Sequence, residues 1–241
     1  MEVDYIIIGQ GICGSFLSWN LIKAGKKVIV IDEPQQYSAS KVASGIINPV
    51  TGRRIVKTWM IDELLLFAWN AYLEIGKEIN AEIIQQCSVL DFHASPQMKE
   101  AFEKRLNEEK QYLHTISNDE FWKKYFRFNY GIGEISPCFL IDLNTLLNKW
   151  REKLNYLKAL LETRFNWKDC VVENNYINYK NITAQKIIFC EGVNGFENPY
   201  FKMLPFVRTK GKTTLVDISG LPRTNIYHQS TSVVRSENDF F

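Results

Sequence analysis

The segment Gly9-Gln10-Gly11-Ile12-Cys13-Gly14 follows directly on an apolar run, Val3 to Ile8, and a second apolar run, Val28 to Ile31, ends in an acid at Asp32. A bare GxGxxG motif is weak evidence, because glycine-rich turns are common. Behind a strand, ahead of an amphipathic helix and about 20 residues before an acid, it is a dinucleotide-binding fingerprint. Gly9 permits the tight turn, Gly11 leaves out a side chain where the backbone must approach a pyrophosphate, and Gly14 lets the helix pack closely on the strands. The helix start offers unpaired N–H groups and the positive end of its dipole to phosphates. Asp32 can accept hydrogen bonds from a ribose 2′-hydroxyl and would repel a 2′-phosphate. The pattern implies an adenosine diphosphate moiety and disfavours an NADP-type phosphate.

Composition narrows the class. A chain of 241 residues, 46% hydrophobic and 13% aromatic, can bury a full core and form one large or two modest domains. A net charge of +2, with lysines and acids alternating, gives no argument for a nucleic-acid partner. Cys13, Cys87, Cys138, Cys170 and Cys190 show no CxxC and no ligand-like spacing with His93, His114 or His228. Buried reduced thiols in a cytoplasmic protein, without metal or disulfides, are the expectation. The apolar stretch Leu64 to Trp69 is too short to span a bilayer.

Periodicity lays out the elements. Gly14 to Lys23 is expected as the first helix, with Phe16, Leu17, Leu21 and Ile22 buried and Gly25 ending it. Pro34 to Arg54 has neither period and is expected as a long functional loop. Helices are expected over Thr58–Lys77 and Pro96–Leu113, with one or two short strands over Ile83–Phe92. Ser117 and Glu120 have capping-box spacing for another short helix. Tyr130–Ile141 is extended, and Asp142 then caps a helix with the stripe Leu143, Leu146, Trp150, Leu154, Leu157 and Leu161. Strand-like pieces follow at Cys170–Val172, Tyr176–Tyr179, Ile187–Cys190, Thr213–Ile218 and Ile226–Val234. Trp59, Trp69, Trp122, Trp150 and Trp167 are expected in the core.

A nicotinamide-binding domain would run from its second strand through a helix to a third parallel strand. Here the chain enters Ser38 to Arg54 instead, where small residues admit a bulky planar ligand and hydroxyls can bond phosphate or ribityl groups. With Ala43-Ser44-Gly45, Asn48-Pro49, the Ile187 to Gly192 strand and turn, and Lys210-Gly211, the sequence resembles the FAD-dependent oxidoreductases of the D-amino-acid oxidase and glycine oxidase type. The resemblance implies an α/β fold: a Rossmann-like FAD-binding domain over 1–57 and 141–205, interleaved with a mixed α+β substrate domain over 58–140 and 206–241. It implies Lys210-Gly211 in a strand entering the substrate domain. FAD would lie with its adenosine near Asp32 and Glu33 and its pyrophosphate at Gly11, Ile12, Cys13 and Gly14. Its ribityl and ring end would lie near Ser40, Ser44, Gly45 and Ile46. Cys190, Glu191 and Gly192 would line it from the second strand, and the Phe165 backbone would touch the adenine.

The activity so implied is oxidation of the C–N bond of a small amine or amino acid by hydride transfer to the flavin, with no catalytic side chain assigned. Arg53 and Arg54 are weak candidates to fork a substrate carboxylate, against the plainer reading of solvated loop charges. The family's later GxRP-like stretch is absent, so the C-terminal part of the substrate domain is expected to be missing. Asn238 to Phe241 would lie in one of its strands, and open sheet edges would favour self-association or a partner. Two alternatives stay open: an inert FAD- or ADP-binding module, and an NAD-dependent dehydrogenase.

Overall fold

A computed structural model describes residues 1–117 and 119–236; the strand expected at Asn238–Phe241 lies outside the described residues. In chain order the elements are β1 (Glu2–Ile8), α1 (Ile12–Lys23), β2 (Val28–Ile31), α2 (Ala39–Val42), β3 (Ile46–Ile47), β4 (Val50–Thr51) and β5 (Val56–Lys57). Next come α3 (Ile61–Glu78), β6 (Ile84–Phe92), α4 (Pro96–Leu106), β7 (Leu113–Thr115), α5 (Asp119–Trp122) and β8 (Ile132–Ile141). The chain continues through α6 (Leu143–Tyr156), β9 (Leu160–Leu161), β10 (Cys170–Val172), β11 (Ile177–Tyr179), β12 (Ile182–Phe189), β13 (Asn225–His228) and β14 (Ser232–Val233). It divides into two compact units, each assembled from separated segments.

The first unit comprises Met1–Ala43, Ile75–Ala81 and Leu143–Lys212. Its sheet has the strand order β10-β11-β12-β1-β2-β9. β12, β1, β2 and β9 are parallel, while β10 and β11 form an antiparallel extension. A strand inside a parallel sheet is covered on both faces and therefore reads as a continuous apolar run. Val28–Ile31 is such a run, buried at every position, and Ile6 and Ile7 of β1 are wholly enclosed. The third parallel strand, β9, is thus present, but it reaches β2 only after two segments of the second unit have intervened in the chain.

The buried side of α1 departs from expectation. Gly14, Ser15, Ser18 and Trp19 are buried, whereas Phe16, Leu17, Leu21 and Ile22 are half-exposed. The cause is close packing with polar partners: Trp150 Nε1 donates to Ser18 Oγ (2.9 Å), and Trp19 Nε1 donates to Glu78 Oε2 (2.8 Å). Apolar periodicity has no access to a helix face built from small residues and satisfied indoles. The α6 stripe is Leu143, Leu146, Leu147, Trp150 and Leu154; Leu157 is exposed and Leu161 belongs to β9, because the helix stops at Tyr156.

The second unit comprises Ser44–Glu74, Glu82–Asp142 and the described part of Thr213–Phe241. Its sheet runs β14-β13-β6-β8-β3, with β7 also on β8, and β4 and β5 form a separate hairpin. The expected helix over Pro96–Leu113 ends at Leu106, and Leu113 pairs with Ile135 in β7 instead, where the polar run from Asn107 leaves no stripe to bury. Pro34–Arg54 is not a plain loop, since α2, β3 and β4 fall within it. Thr213–Ile218 and Lys210-Gly211 form no strand: they have alternation or family precedent but no described neighbour to pair with, and strand preference depends on such neighbours. Of the expected core tryptophans Trp122 and Trp150 are buried and Trp69 and Trp167 half-buried, while Trp59 is 79% exposed. Among the cysteines only Cys138 is fully buried, and Cys13 is exposed.

β6 carries one strained electrostatic feature. Asp91 and the following His93 are 3% and 4% exposed, and Asp91 Oδ1 and His93 Nδ1 have no hydrogen-bond partner. Burial pushes the Asp91 carboxyl up to about 6 and the His93 imidazole down. Between roughly pH 4 and 6 the folded chain keeps an Asp91 proton that the unfolded chain releases, so this contribution is complete at low pH and is lost as pH rises through 6. Asp91→Asn is therefore expected to be more stable than the parent at pH 7.5 by about 2–3 kcal/mol, with little advantage at pH 4. Urea unfolding at pH 4, 6 and 7.5 measures this, and a loss of equal size at all three would contradict it.

Candidate cofactor site

β1 ends at Ile8, and the chain turns through Gly9, whose φ of +98° only glycine adopts without strain. A Cβ there would overlap the backbone carbonyl of Cys190, at the end of β12. A Cβ on Gly14, in the first turn of α1, would overlap the carbonyl oxygen of Gly9. Both glycines therefore serve backbone-to-backbone packing. Gly11 is different: a Cβ on it would meet only Ser40 Oγ, at 3.0 Å. It is the extended N-cap of α1 and supplies no side-chain cap, so the first-turn amides of α1 are left to partners other than their own N-cap.

Ser40 comes to this opening from α2. Ser38 caps that short helix by accepting from Lys41 N, and Ser40 Oγ then accepts from Ile12 N at 3.1 Å. Cys13 is exposed beside it in the same turn. Across the turn, Cys190 N donates to Ile8 O (2.7 Å), which continues the β1–β12 ladder into the glycine turn. Burial pushes the Cys190 thiol up to about 11, which keeps it protonated and inert at neutral pH. Glu191 precedes a 3-10 turn and accepts from Asn198 Nδ2 (2.6 Å), and Gly192 is exposed with a φ of +57°.

Asp32 stands at the end of β2 as the fingerprint requires, but it is not free. Its Oδ1 accepts from the backbone N–H of Gln10 (3.0 Å) and its Oδ2 from Arg151 Nη1 (2.6 Å). Glu33 beside it is half-buried and accepts a long bond from Gln35 Nε2 (3.4 Å). Gln10, a variable position of the motif, is 7% exposed and bonds Ser15 Oγ and Leu147 O through Nε2. Phe165 is half-buried, stacked on Tyr179 at 5.0 Å and edge-on to Trp167 and Phe189.

The structure thus brings Gly9, Gly11, Ile12, Cys13, Gly14, Ser40 and Cys190 together, with Asp32 tied to the same turn through Gln10. Ser44, Gly45 and Ile46 belong to the second unit. There Gly45 (φ +71°) approaches the Ile141 backbone and accepts from Ile141 N (2.9 Å), and Ile46 pairs with Leu140. Arg53 and Arg54 lie exposed in the turn between β4 and β5. Arg151 and Gln10 escaped the sequence reading. A signal for Arg151 existed: it is one turn from both Leu147 and Leu154, a charge placed inside an apolar stripe.

A family model described as FAD dependent oxidoreductase matches residues 4–132. An uncharacterized oxidoreductase of Bacillus subtilis (strain 168), YurR, is 38% identical over 56 residues, 23% of this chain and 15% of that protein. Among solved structures, glycine oxidase from Geobacillus kaustophilus superposes with a TM-score of 0.76 at 10% identity, over 99% of this chain and 70% of that one. L-amino acid deaminase from Proteus vulgaris gives 0.63 at 11% identity, over 80% and 48%. The chain accordingly spans about half of the deaminase and a small part of the curated relative. The structural likenesses show the fold, a mixed α/β architecture with parallel and antiparallel sheets. Among the described residues, no helix is long and apolar enough to cross a membrane. The family match covers more than half of the chain and includes the whole glycine turn: this protein belongs to the FAD dependent oxidoreductase family, whose cofactor is FAD.

Proposed function

We propose that this chain is the FAD-binding part and a portion of the substrate part of an oxidoreductase that acts on the C–N bond of a small amine or amino acid. The observation that carries this reading is the glycine turn closed on Cys190, within a fold shared with a glycine oxidase over nearly the whole chain. The L-amino acid deaminase is likewise named for amino-acid chemistry. The residues present fit FAD in one concrete respect: Gly11 puts no side chain at the start of α1, where a Cβ would press on the Ser40 hydroxyl that accepts from Ile12 N.

In this reading Gly9 permits the turn and Gly11, Ile12, Cys13 and Gly14 hold the pyrophosphate, with Ser40 as a hydroxyl ligand and Cys190, Glu191 and Gly192 as the opposite wall. Asp32 and Glu33 serve the adenosine and Phe165 the adenine. When bound, FAD supplies a two-electron acceptor for hydride. The chain's own contribution is to orient and to exclude water. The segments 1–57 and 141–205 are read as the FAD-binding domain, and 58–140 with 206–241 as the substrate domain. The five unpaired thiols support a cytoplasmic location. β9 and β10 pair on one side only among the described residues, which supports self-association by strand addition; the mass of the purified chain in solution tests it.

The full chain is expected to purify yellow or to take up FAD, and its visible absorption to bleach anaerobically on adding an amino acid or amine, with release of ammonia or the smaller amine. Colourless protein that cannot be reconstituted, or a bound flavin that no amine reduces, would overturn the proposal. Gly14 and Gly11 give a sharper check. Gly14→Ala is expected to destabilise the unligated chain by about 1–3 kcal/mol through overpacking. Gly11→Ala presses only on the Ser40 side chain and should cost unligated stability less than Gly14→Ala does. It should nevertheless weaken FAD binding by about tenfold or more, measured by flavin fluorescence titration.

A further inference from the structure

The ends of β1, β2 and β9 are held by one cation, and that cation has no place in the fingerprint logic. Arg151 projects from α6 with its side chain 16% exposed. Its Nη1 donates to Asp32 Oδ2 (2.6 Å) and Gln10 Oε1 (3.0 Å), its Nη2 to the Asp32 carbonyl (3.1 Å), and its Nε to Glu162 Oε1 (2.8 Å). Four of the five guanidinium N–H groups are engaged, and one on Nη2 remains. Exposed ion pairs contribute little, but this one is largely buried and multiply bonded. Its site is the crevice beyond the strand ends, where open α/β sheets take ligands.

An acid at the end of the second strand rejects a 2′-phosphate by charge, whereas an arginine nearby accommodates one. This chain has both, joined. A planar fork of donors is the side chain best matched to a phosphate, so Arg151 by itself would favour what Asp32 disfavours. We propose that Arg151 is the specificity-determining residue of the ribose end, a phosphate-competent guanidinium kept occupied by Asp32 and Glu162. The choice between a free 2′-hydroxyl and a 2′-phosphate then belongs to the three side chains together. The native site takes an adenosine nucleotide with a free 2′-hydroxyl, and neutralising Asp32 releases Arg151 to bind the 2′-phosphorylated form. This rests on the reading that the glycine turn binds an adenosine diphosphate group, not on the oxidation of amines.

The test uses the full chain freed of flavin, with ADP-ribose and 2′-phospho-ADP-ribose as probes in calorimetric titration or in competition with FAD. The readout is the ratio of their dissociation constants, phosphorylated over unphosphorylated. In Asp32→Asn this ratio is expected to fall about tenfold or more, the size of a lost or gained charge-assisted contact. In Asp32→Asn/Arg151→Gln most of that fall should disappear, and Asp32→Asn/Arg151→Lys should lie between. A purely structural Arg151 would weaken both probes alike, so equal ratios in the single and double variants overturn the proposal. Glu162→Gln keeps the inference testable should the core variants fail to fold, because Glu162 is exposed and outside the glycine turn. It should lower the ratio about threefold by freeing one arm of the fork, roughly half the tenfold effect on a logarithmic scale; an unchanged ratio counts against the proposal. A native chain that binds neither probe overturns this inference and the cofactor reading together, whereas one that binds ADP-ribose but oxidises no amine overturns only the proposed activity.

Discussion

The contact on which the first unit depends is made without side chains. Gly9 and Gly14 let the end of β1, the first turn of α1 and the end of β12 approach until carbonyl oxygens occupy the places where Cβ atoms would be. Close-packed interiors tolerate no such overlap, so glycine is fixed at both points. Everything placed around the opening follows from that approach: the first-turn amides of α1, the Ser40 hydroxyl reaching Ile12, and the carboxylate of Asp32 tied to Gln10.

Around this contact the polar groups of the unit form one connected system. Asp32, Arg151, Glu162 and Gln10 link three strand ends, and Gln10 passes the connection to Ser15 and to the backbone of α6. Ser18 and Trp150 carry it between α1 and α6. Such networks fix orientation more than they add stability, because each buried charge must first be desolvated. Their value here is that the Asp32 carboxylate has a set direction before any ligand arrives.

What the sequence made legible, and what it hid, divides along physical lines. The glycine turn, the buried runs of β1 and β2 and the strand ending at Cys190 were readable because backbone sterics and double-sided burial leave strong local marks. The sequence pattern leaves and later returns to apolar runs, and the two compact units are each assembled from separated segments. The α1 face was misread because it buries Ser15 and Ser18 by hydrogen bonding, which leaves no apolar stripe. Thr213–Ile218 was misread for the opposite reason: its alternation suits a strand, but strands exist by pairing, and pairing is not local. Arg151 needed knowledge of which helix covers the strand ends, a tertiary fact marked in the sequence only by a charge among leucines.

The way the chain threads its two units has a consequence for how the protein comes to exist. β1 is bordered by β2, about twenty residues on, and by β12, whose first pairing joins Glu2 to Thr183. The other border of β2 is supplied by Leu160 and Leu161. A ribosome therefore releases the glycine turn long before the strands that enclose it, and the earliest part of the chain must wait, apolar and half-paired, for its own completion. Such long-range closure slows folding and exposes strand edges meanwhile. The segment with the clearest signature in the sequence is therefore enclosed only once β9 and β12 have been made.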